Sequence, residues 1–215
     1  MNSLIQKIKT RNDRTFIGIS ILLSILTGVL GITFKDLHLD EVASIAISEG
    51  PLIFEKLWHY EGNMWLYYIL LHYWITAFGD SVVAVRIISV IFSVLSILPF
   101  FYLAFLTAGK TAAHISVLLL PFHILFIKNS QTARGYSLLF AFTVSSCIFF
   151  WKITHLKHQK FYYVWIALYV VTSVLAVYTH IYALLVLAAQ GSYILSQRSL
   201  QVWKNAIFSW ICILI

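Results

Sequence analysis

The chain is a succession of apolar runs, each about as long as a helix needs to cross a bilayer, and that succession limits what it can fold into. Crossing the hydrocarbon core takes about 20 predominantly apolar residues in a helix. Runs of that length, or close to it, occur at Phe16–Phe34, Val82–Leu106, Ala112–Ile127, Gly135–Trp151, Phe161–Tyr178, Ile181–Leu195 and from Ala206 onward. Backbone groups in hydrocarbon must pair within their own segment, so the expected fold is all-α: a polytopic transmembrane helical bundle with about seven spans. Cys147 and Cys212 both fall inside apolar runs, which argues against a disulfide framework. The first run follows KIKTRNDR without a small-residue cleavage site and reads as an uncleaved signal anchor. The last run is cut off at Ile215 after about ten residues, so residues 1–215 read as the N-terminal part of one transmembrane domain in a longer protein.

Charge is distributed unevenly along this framework. Seven of the eight acidic residues lie between Asp36 and Asp80; the eighth is Asp13, and none follows Asp80. Lysines and arginines instead form short clusters between the apolar runs, a juxtamembrane pattern that raises the pI without implying nucleic acid as a partner. One further run, NMWLYYILLHYWITAF (Asn63–Phe78), has the length to cross the membrane and the aromatic edges to lie along its surface. If it lies flat, the cytoplasmic side holds Lys7, Lys9, Arg11, Arg14, Lys110, Lys152, Lys157, Lys160, Arg198 and Lys204, against Lys35, Lys56, Arg86, Lys128 and Arg134 outside. That is ten against five; if the run spans, the split is seven inside and eight outside. The positive-inside rule favours the flat placement. The expected topology is therefore a multi-pass protein of the cell membrane with a cytoplasmic N-terminus. Residues 35–80 form an acidic extracytoplasmic loop with short surface-lying helices. KNSQTARGYS (Lys128–Ser137) and YTHIYA (Tyr178–Ala183) share its side.

The acidic loop opens with DEVASIAISEG, whose stop signals at Gly50 and Pro51 indicate a short helix with Asp40 and Glu41 at its start. Backbone dipoles and free amides at a helix N-terminus favour an ionised carboxylate. Asp40 thus reads either as a helix cap or as a pre-oriented general base or metal ligand. Arg134 opens an apolar helix at the end where a cation opposes the macrodipole, on the side where cations are scarce. Such a residue calls for an anionic partner, either a nearby acid or the phosphate of a lipid, which guanidinium fits well. His180, in a very short turn on the same side, reads as a polar anchor or as a third member of the group. An acid pair, an arginine and a histidine in one pocket would suit transfer of a group from a phosphate leaving group to a hydroxyl.

LDE after the first run, LYYILLHYWITAFGDSVVAVRIISVIFSV, NSQTARGYSLLF and YTHIYALL, taken together and in this order, resemble the integral-membrane glycosyltransferases of the GT-C class. Within that class they are most similar to the protein O-mannosyltransferases and the bacterial aminoarabinose transferase, over roughly Phe16 to Leu200. The resemblance implies a sugar carried on a polyprenyl phosphate as donor and a glycan, lipid or protein hydroxyl as acceptor. It matches Asp40 to the catalytic acid and Glu41 to its neighbour, Arg134 and Tyr136 to an ARGY-type turn, and His180 to a THxY-type turn. Arg86 matches the arginine of the segment after the FG pair, where a packing or lipid-headgroup role and a catalytic or substrate-binding role are equally open. Relatives often carry a His-Pro-Pro-like stretch before LYY where this chain reads EGNMWLYY, which leaves open what His59, Glu61 and Asn63 contribute. No cofactor is implied; a divalent metal on the acid pair is a weaker expectation, since two adjacent carboxylates are a poor metal signature. The competing reading is a transporter or lipid flippase, which would favour inverted repeats and ionisable residues at mid-membrane depth. A non-catalytic membrane subunit explains the apolar runs and leaves the clustered acids and Arg134 unexplained.

Overall fold

A computed structural model describes residues 11–60, 63–155 and 161–196, all helices and connecting turns. The helices are α1 (Arg11–Val29), α2 (Leu39–Ser48), α3 (Ile53–Tyr60), α4 (Trp65–Phe78), α5 (Val82–Leu119), α6 (Ile124–Ser130), α7 (Tyr136–His155), α8 (Tyr162–Thr179) and α9 (Ala183–Ser196). A single 3-10 turn, Leu120–Phe122, joins α5 to α6. Three helical segments among these residues are long and apolar enough to cross a membrane: Val82–Phe122, Tyr136–His155 and Tyr162–Thr179. The first apolar run, Phe16–Phe34, falls on α1, which holds Arg11, Asp13 and Arg14 in its first turns, ends at Val29 and is not one of those three segments. The run at Ile181–Leu195 becomes the 14-residue helix α9, and the run from Ala206 lies outside the described residues.

The longest helix is not straight. At Gly109 the backbone takes φ 85° and ψ 179°, a conformation open to glycine and strained for other residues. The chain folds back there. Ile97, Phe101, Ala113 and Val117 form one buried cluster, and the rings of Phe101 and His114 lie 5.8 Å apart. In an unbroken helix those two residues would be separated by about 20 Å. The two arms of α5 thus correspond to the two apolar runs read from the sequence, Val82–Leu106 and Ala112–Ile127.

Small hydroxyl residues hold the long helices at close range. Ser20 Oγ of α1 donates to the Val117 carbonyl (2.6 Å), Ser93 Oγ of α5 donates to Ser137 Oγ of α7 (2.9 Å), and Ser146 and Ser173 pair across α7 and α8 (2.9 Å). Such side chains let backbones approach and satisfy one another where neither water nor a hydrophobic driving force is available. One end of the bundle gathers Asp13 with Lys110 (3.1 Å) and His114 (2.6 Å), and Lys152 over the rings of Trp165 and Tyr102. The opposite end carries the acidic loop.

Helix α4 is confined to that opposite end. Its N-terminal neighbour Asn63 accepts from the Ile181 amide (2.9 Å), and Trp74 Nε1 donates to the Ala84 carbonyl in the first turn of α5 (2.8 Å). His72 Nδ1 meets the Ser48 carbonyl at 2.7 Å. Tyr67, Tyr68 and Leu71 make one buried face, and they join Ile53, Leu57, Val85, Ile88, Ala133 and Leu138 in a core beneath the loop helices.

Candidate functional site

The site is built where α2 crosses the turn between α6 and α7. Helix α2 begins after His38, so Asp40 and Glu41 both stand in its first turn. Adjacent residues on a helix point about 100° apart, and here the two carboxylates part company. Glu41 is fully buried, whereas Asp40 is exposed.

Glu41 is wholly engaged in holding the chain together. Its Oε1 accepts from Arg86 Nε (2.9 Å) and the Ala133 amide (2.8 Å). Its Oε2 accepts from Arg86 Nη2 (2.8 Å) and the His38 amide (3.1 Å). Burial pushes the carboxyl upward, but the Arg86 guanidinium and the Ala133 and His38 amides outweigh it and hold the pKa below the ordinary value. Arg86 is equally committed. Its remaining donors reach the carbonyls of Ile32 (2.6 Å), Lys35 (2.9 Å) and Asp36 (3.1 Å). A guanidinium has five N–H donors, and all five are spent on this chain. The structure therefore places the two residues that sequence reasoning assigned to catalysis and substrate binding in a structural clamp. It fastens the end of α1, α2, α5 and the 133–134 turn to one another.

Arg134 is the opposite case. Its Nη1 makes three long contacts, to the Asp40 carbonyl (3.3 Å), Ser44 Oγ (3.4 Å) and Tyr68 Oη (3.4 Å), at the weak end of the hydrogen-bond range. Its Nε is buried without a partner among the described residues. Burial opposes its charge, but Tyr68, Tyr136 and Asp40 around it prevail, so the guanidinium stays ionised with its pKa above the ordinary arginine value. The preceding Ala133 is pinned by Glu41, and the following Gly135 is hemmed in. A Cβ there would stand 3.0 Å from Met64 Cε and 3.2 Å from both the Thr179 carbonyl and Tyr67 Cβ. The close packing favours glycine at this position of the ARGY turn.

Tyr136 extends the group toward His180, their ring centroids 5.3 Å apart, and the Tyr182 ring lies 4.3 Å from the imidazole. His180 ends α8 and is buried. Its Nδ1 accepts from the Tyr182 amide (3.2 Å), which places the proton of the neutral ring on Nε2. Asp40, Arg134, Tyr136 and His180 thus form a connected series at one end of the bundle. His59 is exposed on the last turn of α3, a separate element; Glu61 lies outside the described residues. Two participants were not anticipated: Tyr68 and Ser44, both buried and both reaching Arg134. The LYY motif contains the first; no sequence signal marks the second. No group of three His, Cys, Asp or Glu side chains suited to a metal ion occurs among the described residues. Of the acid pair, only Asp40 has carboxylate oxygens that accept no hydrogen bond among the described residues.

No family model, curated protein or solved structure matches this chain.

Proposed function

We propose that the chain is part of an integral-membrane glycosyltransferase of the GT-C type, moving a sugar from a polyprenyl-phosphate donor to an acceptor hydroxyl on the extracytoplasmic side. In this reading α1, both arms of α5, α7, α8 and α9 cross the bilayer, and α2–α4 lie at its outer surface. The observation that carries the proposal is the contrast between the two arginines. Arg86 is saturated, whereas Arg134 is ionised, under-satisfied, and near the Asp40 carboxylate, which accepts no hydrogen bond among the described residues.

The acceptor hydroxyl attacks the anomeric carbon, and Asp40 takes its proton. The bond from that carbon to the phosphate oxygen breaks, and the polyprenyl phosphate leaves from the opposite face with its charge stabilised by Arg134 and by the N–H of His180. Direct displacement inverts the anomeric configuration. Tyr68 and Tyr136 orient the Arg134 guanidinium, and the aromatic pair around His180 fixes the imidazole plane.

The test is Arg134→Ala in the intact protein, with radiolabelled polyprenyl-phosphate sugar. The donor phosphate is charged before and during reaction, so donor binding and turnover should both fall, turnover by on the order of a hundredfold or more. Unchanged donor affinity would remove Arg134 from the phosphate site and the proposal with it.

A further inference from the structure

A second feature borders the Glu41–Arg86 clamp. A cavity of about 30 Å³ is lined by Gly31, Lys35, His38, Lys128 and Thr132, with the clamp and Gln131 behind them. Room on that scale admits a water or one oxygen of an oxyanion. Its walls are fixed. Arg86 Nη1 holds the Lys35 carbonyl, Gln131 Nε2 bridges the Thr27 and Leu30 carbonyls (2.7 and 2.6 Å), and Thr132 Oγ1 is bonded to the Lys128 carbonyl (2.7 Å).

Three lysines are described at this end of the bundle, and they behave differently. Lys56 Nζ is tied to the Ala46 and Glu49 carbonyls (2.8 and 2.6 Å). Lys35 and Lys128 make no ion pair or side-chain hydrogen bond among the described residues, and both line the cavity. The clamp is neutral as a pair and no other acidic side chain among the described residues lines the cavity, so Lys35 and Lys128 give it a positive balance. Exposed apolar side chains flank it: Leu30 and Phe34 beside Lys35, Ile124 and Leu125 one turn before Lys128. Two cations over a notch, edged by greasy surface, complement an anion that carries hydrocarbon chains.

We propose that this cavity binds the phosphate of an anionic membrane phospholipid, with the acyl chains lying against Leu30, Phe34, Ile124 and Leu125. The site needs no transferase activity and stands apart from the Arg134 phosphate site.

The test places the intact protein in nanodiscs and measures co-purifying or titrated lipid by native mass spectrometry, comparing phosphatidylglycerol with phosphatidylcholine. The wild type should prefer phosphatidylglycerol, and the preference should weaken as salt rises. Lys35→Gln and Lys128→Gln should each reduce it about fivefold, and together about thirtyfold, from about 1 kcal/mol per cation near an anionic headgroup. Lys56→Gln should leave it unchanged. Both target lysines are exposed, so the variants should melt like the wild type, which separates lost binding from lost folding. Equal retention of the two lipids by the wild type, or a preference that survives the double substitution, would overturn the proposal. Inorganic phosphate competing as effectively as the lipid would overturn the assignment to a membrane lipid.

Discussion

Glu41→Gln is the substitution for which the structure makes the sharpest energetic statement. Both carboxylate oxygens accept from two donors each, at 2.8–3.1 Å, and the group has no exposure to water. An amide has the same shape, but whichever way it is turned its NH₂ faces two donors and no acceptor. The substitution also leaves the buried Arg86 charge uncompensated, and breaking a buried pair from one side costs about 3–5 kcal/mol. For a chain of this size each kcal/mol lowers the melting temperature by about 2–4 °C, so the loss should be roughly 6–20 °C in detergent. Asp40→Asn, one residue away and exposed, should stay within about 0.5 kcal/mol of wild type. Replacing both partners with apolar residues should recover only part of the loss, because Arg86 also caps three carbonyls of residues 32–36. The Glu41 pKa is lowered in the fold. Its contribution to stability should therefore hold above the ordinary carboxylate pKa near 4.5 and disappear as pH falls through the depressed folded value. A Glu41→Gln protein that melts within a degree or two of wild type would refute the clamp.

Two further outcomes follow from the packing and the proposed topology. Gly135→Ala should lower stability by about 1–3 kcal/mol in a melting experiment, since the Met64 side chain can yield but the Thr179 carbonyl 3.2 Å from the new methyl cannot. Cysteines placed at the exposed positions Asp80 and Thr111 should differ toward an impermeant thiol reagent applied to intact cells. Asp80→Cys should react and Thr111→Cys should not; the reverse would put the acidic loop in the cytoplasm.

The sequence made some of this legible for identifiable reasons. The break between Val82–Leu106 and Ala112–Ile127 was visible because Gly109 interrupts two apolar runs, and the chain reverses there. The distribution of lysines and arginines grouped the acidic loop, the ARGY turn and the turn at His180 on one side, and the structure brings their residues to one end of the bundle. The roles inside that group were less legible. Asp40 and Glu41 look like a pair in the sequence, but helical geometry turns one toward water and the other into the core. Glu41's true partners, Arg86 and the Ala133 amide, are 45 and 92 positions away, and nothing local announces a contact at that range. Ser44 was missed for the same reason. The first apolar run, Phe16–Phe34, extends past the helix it belongs to: α1 starts earlier, at Arg11, and ends at Val29.

The most direct measurement of the central claim is sugar transfer by the intact Asp40→Asn protein, alongside donor binding. Asparagine keeps the size and much of the hydrogen bonding of aspartate but cannot take a proton at neutral pH. The account predicts that transfer from the polyprenyl-phosphate donor is abolished while expression, melting temperature and donor affinity stay close to wild type. Wild-type turnover in the Asp40→Asn protein would contradict the assignment of Asp40 as the general base and favour a transporter.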